Sequence, residues 1–376
     1  MTIRVAGCIF LVAVSACFPG TVHAGTEDWM LGPFVRPVDA QPVIKPIADS
    51  VFDCPMRQKP VHWEASHTFN PAAIVKDGKI YVLYRAEDDS GGSIGGYTSR
   101  LGLAASDDGI HFTRMPAPVL YPDNDAQKVH EWQGGCEDPR CVETEDGTYV
   151  LFYTQYARGA KGRRTVLGMA TSRDLIHWTK TGPVQGLDGN GKTVTPSKSA
   201  SLVCAVKDGR VIATKINGKY TLYYGEGVIR LLTSPDLVTW TPVPKFSFAQ
   251  RAGKYDSGLA ECGPPALLTA KGIVLLYNGK NAGVPRNDPD LKPGVYADGQ
   301  ALFDSKDPTK LLQRTEHPFF KPELPWEATG QYAAGTTFIE GLVLFKGKWF
   351  LYYGCADTFV GVGIADPKPD EIYPTQ

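Results

Sequence analysis

The chain predicts an all-β fold, a five-bladed β-propeller, and three observations carry that expectation. A glycine turn leading into an aromatic strand, followed by a partner strand that closes on Ser or Asp, recurs five times. Within each copy apolar residues alternate with period two, and almost no stretch has the period of a helix. Repeats of roughly 55 to 75 residues with about four short strands each bury their faces only by stacking around an axis.

The elements run in order along the chain. Arg4 precedes an apolar run over residues 5–18, Pro19-Gly20 breaks it, and Val22-His23-Ala24 supplies the small residues of a cleavage site. This reads as an export signal over residues 1–24, with a single catalytic domain over 25–376 and a secreted or periplasmic mature protein. Val14-Ser15-Ala16-Cys17 supports an alternative, a lipoprotein anchored through Cys17. No later apolar run approaches the ~20 residues of a membrane span. The proline-rich segment 29–63 is expected to wrap the outside or lend a strand that closes the ring.

The strongest repeats begin at Asp77-Gly78-Lys79-Ile80-Tyr81, Asp146-Gly147-Thr148-Tyr149 and Asn217-Gly218-Lys219-Tyr220, with weaker copies at Lys271-Gly272 and Lys346-Gly347-Lys348-Trp349. Partner strands such as Leu101-Gly102-Leu103-Ala104 and Leu167-Gly168-Met169-Ala170 follow, then turns at Asp108, Asp174 and Asp236 that suit Asx chemistry. Segments just before the repeats supply the inner strands: Asn70-Pro71, Cys136-Glu137-Asp138-Pro139-Arg140, Ser197-Lys198-Ser199-Ala200-Ser201, Glu261-Cys262-Gly263-Pro264-Pro265 and Tyr332-Ala333-Ala334-Gly335-Thr336.

The balance of 39 basic and 40 acidic residues, without long single-sign runs, leaves no signature of nucleic acid or an anionic membrane surface as partner, and suits a neutral ligand. Scattered histidines without ligand spacing predict no metal or other cofactor. Outside the leader stand Cys54, Cys136, Cys141, Cys204, Cys262 and Cys355, an even set with 15 disulfide connectivities that spacing does not separate from six free thiols.

Polar residues that interrupt apolar inner strands at equivalent places face a common axis. Asp138 and Arg140 lie there with Glu137, read as the structural partner of Arg140, and acids with a guanidinium suit a polyol. The ends of the aromatic strands add Arg85, Glu87, Glu226 and Asp357, and the fourth inner strand adds Glu261, so one funnel collects more carboxylate than stability favours. Trp132 and Trp326 suit stacking on sugar faces and core or interface packing equally.

Jointly, Asn70-Pro71, Tyr84-Arg85-Ala86-Glu87, Glu137-Asp138-Pro139-Arg140, Lys215-Ile216-Asn217-Gly218-Lys219-Tyr220, Gly263-Pro264-Pro265 and Tyr353-Gly354-Cys355-Ala356-Asp357 resemble glycoside hydrolase family 130, β-mannoside phosphorylases and β-mannosidases on a five-bladed propeller. The resemblance implies that Asp138 is the general acid, acting through a hydroxyl of the bound mannose, and that Arg85, Glu87 and Asp357 hold the terminal sugar. Asn70, Arg140 and Lys215 join them as substrate-binding residues, Lys215 as a remnant of the family's phosphate region, with the basic loop of Arg158, Lys161, Arg163 and Arg164 nearby. Where the phosphorylases carry a His-Arg pair for phosphate, this chain reads Gly225-Glu226, and Glu261 adds a second acid, as in the family's hydrolytic branch. The expected activity is therefore an inverting hydrolysis of β-mannosides, β-1,2-linked by preference, with Asp138 as acid and Glu226 and Glu261 as base; clustered carboxylates should raise an acid's pKa toward neutrality. Rival readings are a phosphorylase producing mannose 1-phosphate, a furanosidase of another five-bladed family, and a non-catalytic glycan-binding propeller.

Overall fold

Five antiparallel sheets succeed one another along the chain in the computed structural model, which describes residues 27–159, 162–187, 193–194 and 197–372. The export leader, its cleavage position at Ala24, the anchor candidate Cys17 and Lys161 of the basic loop lie outside those residues. The sheets are the blades of a five-bladed β-propeller, almost free of helix.

Blade one is built from His67–Lys76, Lys79–Glu87, Ser99–Ser106 and Thr113–Arg114, and blade two from Gln133–Glu143, Tyr149–Gly159, Gly162–Ser172 and Thr179–Pro183. Blade four has an inner strand split into Leu259–Cys262 and Ala266–Thr269, both paired with Gly272–Lys280, because Gly263-Pro264-Pro265 offers no amide at the two prolines. Blade five holds Thr337–Phe345, Lys348–Cys355 and Phe359–Ala365, and the N-terminal segment completes it: Val35 bridges Ile364 and Ile44 bridges Val360. The proline-rich segment thus closes the ring, as its position suggested. The inner strand of this blade begins at Thr337, one step later than Tyr332–Thr336, which forms the preceding loop.

The third blade departs from the sequence reading. Its repeat turn is Asp208-Gly209, between Ala200–Lys207 and Arg210–Ala213, and Asn217-Gly218 turns an additional hairpin, Lys215–Ile216 with Lys219–Tyr224. Two short segments, Arg210–Ala213 and Lys219–Tyr224, thereby share the second-strand position beside Ala200–Lys207.

One device recurs in four blades. A tyrosine of the second strand lies opposite a glycine of the third, in the pairs Tyr84 and Gly102, Tyr153 and Gly168, Tyr277 and Gly299, and Tyr353 and Gly361. A Cβ on any of these glycines would stand 3.0 Å or less from its ring. Each phenol donates to a buried acid, Glu64 at 2.8 Å and Glu131, Asp256 and Glu327 at 2.7 Å. A cation near the blade's outer edge closes each triad: Arg114, Lys180, Arg314 and Arg36, at 2.5 to 2.8 Å. Blade three sets Leu231 opposite Tyr223, which donates to the Pro308 carbonyl instead. These acids are satisfied structural groups, and they account for the aromatic strands that recur in the sequence.

Apolar clusters fill the spaces between blades; Val142, Phe152, Leu222 and Trp240, for example, seal blades two and three. Asp108, Asp174 and Asp236 each accept two backbone amides of their own turn, as their Asx character implied. The six cysteines among the described residues are buried free thiols. Among the described residues no helix is long and apolar enough to cross a membrane.

Candidate active site

Inner strands bend where polar residues interrupt them, and the bends aim those residues at the axis. Asn70, Asp138 and Ser199 have φ of 47°, 47° and 56°, and the ladder shifts register at the first two. Non-glycine residues in this left-handed region cost roughly 1–3 kcal/mol, least for Asn and Asp. Asp357, at φ 52°, enters from the turn after the second strand of blade five.

Arg85 organises one side of the cluster. Its guanidinium reaches Glu87 at 2.6 Å, Glu137 at 2.9 Å and Asp138 at 3.0 Å, and stacks over Phe69. Asn70 Nδ2 donates to the same Asp138 oxygen at 2.8 Å. Ser99 Oγ bonds Glu137, and Gln331 Nε2 donates to Glu87 and to the Asp357 carbonyl.

Lys198 organises the other side. Its ammonium lies 3.3 Å from Glu261, 3.5 Å from Glu226 and 3.9 Å from Asp138 Oδ2, and Ser199 Oγ donates to Glu261. The distances through Lys198 add to 7.2 Å, a ceiling on the separation of Asp138 Oδ2 and Glu261 Oε1. Glu226 and Glu261 face each other across a backbone bridge, Glu261 buried and Glu226 with 42% of its side chain exposed, so Glu226 is the one open to incoming solvent.

Arg140 has a different task from the one its position suggested. It is 1% exposed, donates to the carbonyls of Asp138 and Cys262 at 3.0 and 2.7 Å, and stands 2.9 Å from Glu340. Neither Glu340 oxygen has a partner along a hydrogen-bonding direction, so this contact is chiefly Coulombic. Arg140 therefore ties blade two to blade four and fixes the bend at Asp138, out of a substrate's reach. Its ionic partner is Glu340, and Glu137 belongs to Arg85.

Lys215 is also placed elsewhere. It pairs with Tyr220 at the start of Lys219–Tyr224, its ammonium over the Tyr220 ring, whereas Glu226 follows the far end of that strand. Six residues of extended chain span about 20 Å. The cation beside Glu226 and Glu261 is Lys198, to which the sequence reading gave no role; a lysine interrupting an inner strand is the same signal that picked out Glu261. In the basic loop, Arg158 holds the carbonyls of Gly96, Tyr97 and Gln133, and Arg164 that of Val129. Trp132 carries Lys128 over its ring and donates to Asp123, while Trp326 stacks on Tyr353, so both serve packing.

Seven carboxylates (Glu87, Glu137, Asp138, Glu226, Glu261, Glu340 and Asp357) thus surround Arg85, Arg140 and Lys198. Burial, reinforced by Asp138 and opposed by Arg85, lifts Glu137 to about 7. Burial likewise lifts Asp357 to about 7, and raises Glu261 against the pull of Lys198. Asp138 goes the other way: although burial opposes it, Arg85 and then Lys198 hold it down at about 2. Clustering does raise acids toward neutrality, but on the neighbours of Asp138 rather than on Asp138. Lys198 is raised despite burial, by Glu261, Glu226 and Asp138, and stays charged.

A cavity of about 540 Å³ lined by Pro116, Tyr121 and Trp178 lies on the outer flank of blades one and two, and its Lys180 is already committed to Glu131. The convergence of charge, not the volume of a groove, marks the site. Among the described residues no group of three His, Cys, Asp or Glu side chains converges with metal-ligand geometry.

A five-bladed propeller with carboxylates converging on its axis is the frame of a glycoside-processing enzyme. Glycoside hydrolase family 130, described as β-1,4-mannooligosaccharide phosphorylase, matches residues 36–372, and the chain belongs to this family, whose members act on mannosides. A 1,2-β-oligomannan phosphorylase of Thermoanaerobacter sp. is 33% identical, over 81% of this chain and 92% of its own. A glycosyl hydrolase structure from Bacteroides ovatus is 50% identical, covering 93% of this chain and 97% of its own with a TM-score of 0.87. A further structure is 52% identical over 93% of this chain and 98% of its own, also with a TM-score of 0.87. It is described by the statement that the GH130 family of mannoside phosphorylases contains glycoside hydrolases that target β-1,2 mannosidic linkages in Candida mannan.

Proposed function

We propose that the protein is an exported inverting glycoside hydrolase that releases mannose from β-mannosides, β-1,2-linked by preference. The observation that carries this reading is the placement of Glu226 and Glu261 on the single ammonium of Lys198. An incoming phosphate dianion would meet two carboxylates there, and like charges at contact distance cost several kcal/mol even at an effective dielectric constant of about 20. A water molecule meets two acceptors, which is what a base requires.

In this mechanism Asp138 is the acid and the two glutamates orient and deprotonate water on the opposite face of the sugar. An inverting pair stands about 6.5–9.5 Å apart, and the 7.2 Å ceiling is compatible with the lower part of that range. Glu137 and Asp357, lifted to about 7, are about half protonated at neutral pH, while Arg85 and Lys198 hold Asp138 ionised in the free protein, so Asp138 must take up its proton as substrate binds before it can serve as the acid. Asn70, Arg85, Glu87 and Asp357 are the groups we assign to the terminal sugar. The hydrolase-described relatives at 50–52% identity support this reading over phosphorolysis, and the apolar leader before Ala24 supports export.

Lys198 is the observation that favours a phosphorylase instead, as are relatives bearing that description at 30–33% identity. Product analysis on β-1,2- and β-1,4-linked manno-oligosaccharides, with and without inorganic phosphate, decides between them. Free mannose whatever the phosphate, released initially as the inverted anomer, is the expected result; mannose 1-phosphate formed only with phosphate would overturn the assignment.

A further inference from the structure

The donors of the axial cluster are largely spent. Arg85 is shared among three carboxylates, Arg140 serves backbone carbonyls, Asn70 serves Asp138 and Gln331 serves Glu87. What faces a ligand from the floor is therefore acceptor-rich, and a sugar ring with its glycosidic and ring oxygens also needs donors.

Such donors stand on the wall between blades four and five. Lys280 and Tyr296 are directly opposed in the ladder two residues beyond Asn278, itself opposite Glu261, which puts them toward the rim. The Lys280 ammonium lies 5.1 Å from the Tyr296 ring centre and 5.3 Å from that of Tyr332, and the two rings meet edge to face at 5.4 Å. Tyr332 is pinned by its hydroxyl to the Gly294 carbonyl and by its amide to Ala356, next to Asp357. All three side chains are half-buried, in contrast to the buried Asn70, Glu87 and Asp138 below them. Burial, helped by the charges of Glu261 and Asp357 and opposed by Lys198, suppresses ionisation of the Tyr296 hydroxyl and keeps it a donor.

We propose that Tyr296, Tyr332 and Lys280 form the binding wall for the second sugar of a manno-oligosaccharide, the one beyond the terminal residue held on the buried floor. This rests on the glycosidase reading for the identity of the ligand, and on the depth of the two layers for the order of the sugars. Tyr296 Oη and Lys280 Nζ donate to oxygens of the second sugar, and the Tyr296 and Tyr332 rings cover its apolar face.

Two measurements on the full chain test the wall. Calorimetric titration of the Asp138→Asn protein with mannose and with β-1,2-mannobiose reads the preference for a second sugar without turnover. Adding Tyr332→Ala or Lys280→Met is expected to cut that preference about tenfold, an aromatic-contact scale of energy. In turnover, the same substitutions and Tyr296→Phe, which removes one hydroxyl and keeps the ring, should lower kcat/KM for mannobiose relative to β-mannosyl fluoride, whose leaving group is no sugar. An undiminished preference for the disaccharide in all three variants, or equal weakening of mannose and mannobiose, overturns the wall. Loss of the binding preference in a protein whose wild type turns over neither substrate would sustain the wall and sink the glycosidase reading.

Discussion

Replacing Lys198 with methionine removes the one cation that touches the acid and both proposed base carboxylates. At 3.3 and 3.5 Å, an effective dielectric constant near 20 gives about 5 kcal/mol of gross attraction per pair. Exposure of Glu226 and the cost of burying the ammonium leave a smaller net effect, felt chiefly at the buried Glu261, whose pKa Lys198 pulls down against burial. The sign follows from the charge: Lys198 favours ionised glutamate, so its loss raises the pKa and moves the acidic limb of the kcat/KM profile to higher pH. Well below that limb the variant should lose about 10- to 1,000-fold, and above it most of the difference should vanish. The assay is a pH profile of kcat/KM for wild type and Lys198→Met on the same mannoside. An acidic limb that stays in place, with a loss uniform across pH, would refute the idea that Lys198 tunes the base.

Four further outcomes are expected. Asp138→Asn should abolish turnover while calorimetry still detects sugar, and Asn at the same φ keeps the bend. Lys215→Ala should leave kcat/KM unchanged within twofold, since its ammonium rests on Tyr220 at the other end of the blade; a large loss would restore it to the site. Glu327→Ala strands Arg36 and the Tyr353 phenol, so chemical denaturation should show a loss of about 3–5 kcal/mol. Glu137 and Asp357 bind their protons more tightly folded than unfolded, so the stability they contribute is full below about pH 4 and is lost as pH rises through about 7. Glu137→Gln should flatten the fall in Tm between pH 5 and 8, and an unchanged slope would contradict the assignment.

Much of the site was legible because it breaks local rules. Asn70, Asp138 and Glu261 are polar residues in otherwise apolar inner strands, and Glu87, Glu226 and Asp357 end aromatic strands at the same level. Lys198 obeyed the same rule and lay in an inner strand already picked out, but only its contacts with Glu226 and Glu261 give it a role. Arg140 and Lys215 were misplaced for a different reason. A guanidinium two residues from Asp138 suits a ligand or a backbone carbonyl equally well, and only the carbonyl of Cys262, 122 residues away, decides between them. The Asn217-Gly218 turn looked like the repeat because it has the same local chemistry as Asp208-Gly209, and pairing with Ala200–Lys207 is what ranks the two.

By itself the sequence determined the five-fold repeat, the all-β class and the level at which charged residues gather, since these follow from periodicity and turn chemistry along one strand. Tertiary structure decided which charges pair. The Tyr–acid–cation triads remove four carboxylates from consideration as structural, and the shared contacts of Arg85 and Lys198 divide the remainder into one group around each cation. Those assignments rest on distances between residues tens to hundreds of positions apart, and Coulomb energies depend on separation in space, which no local pattern encodes.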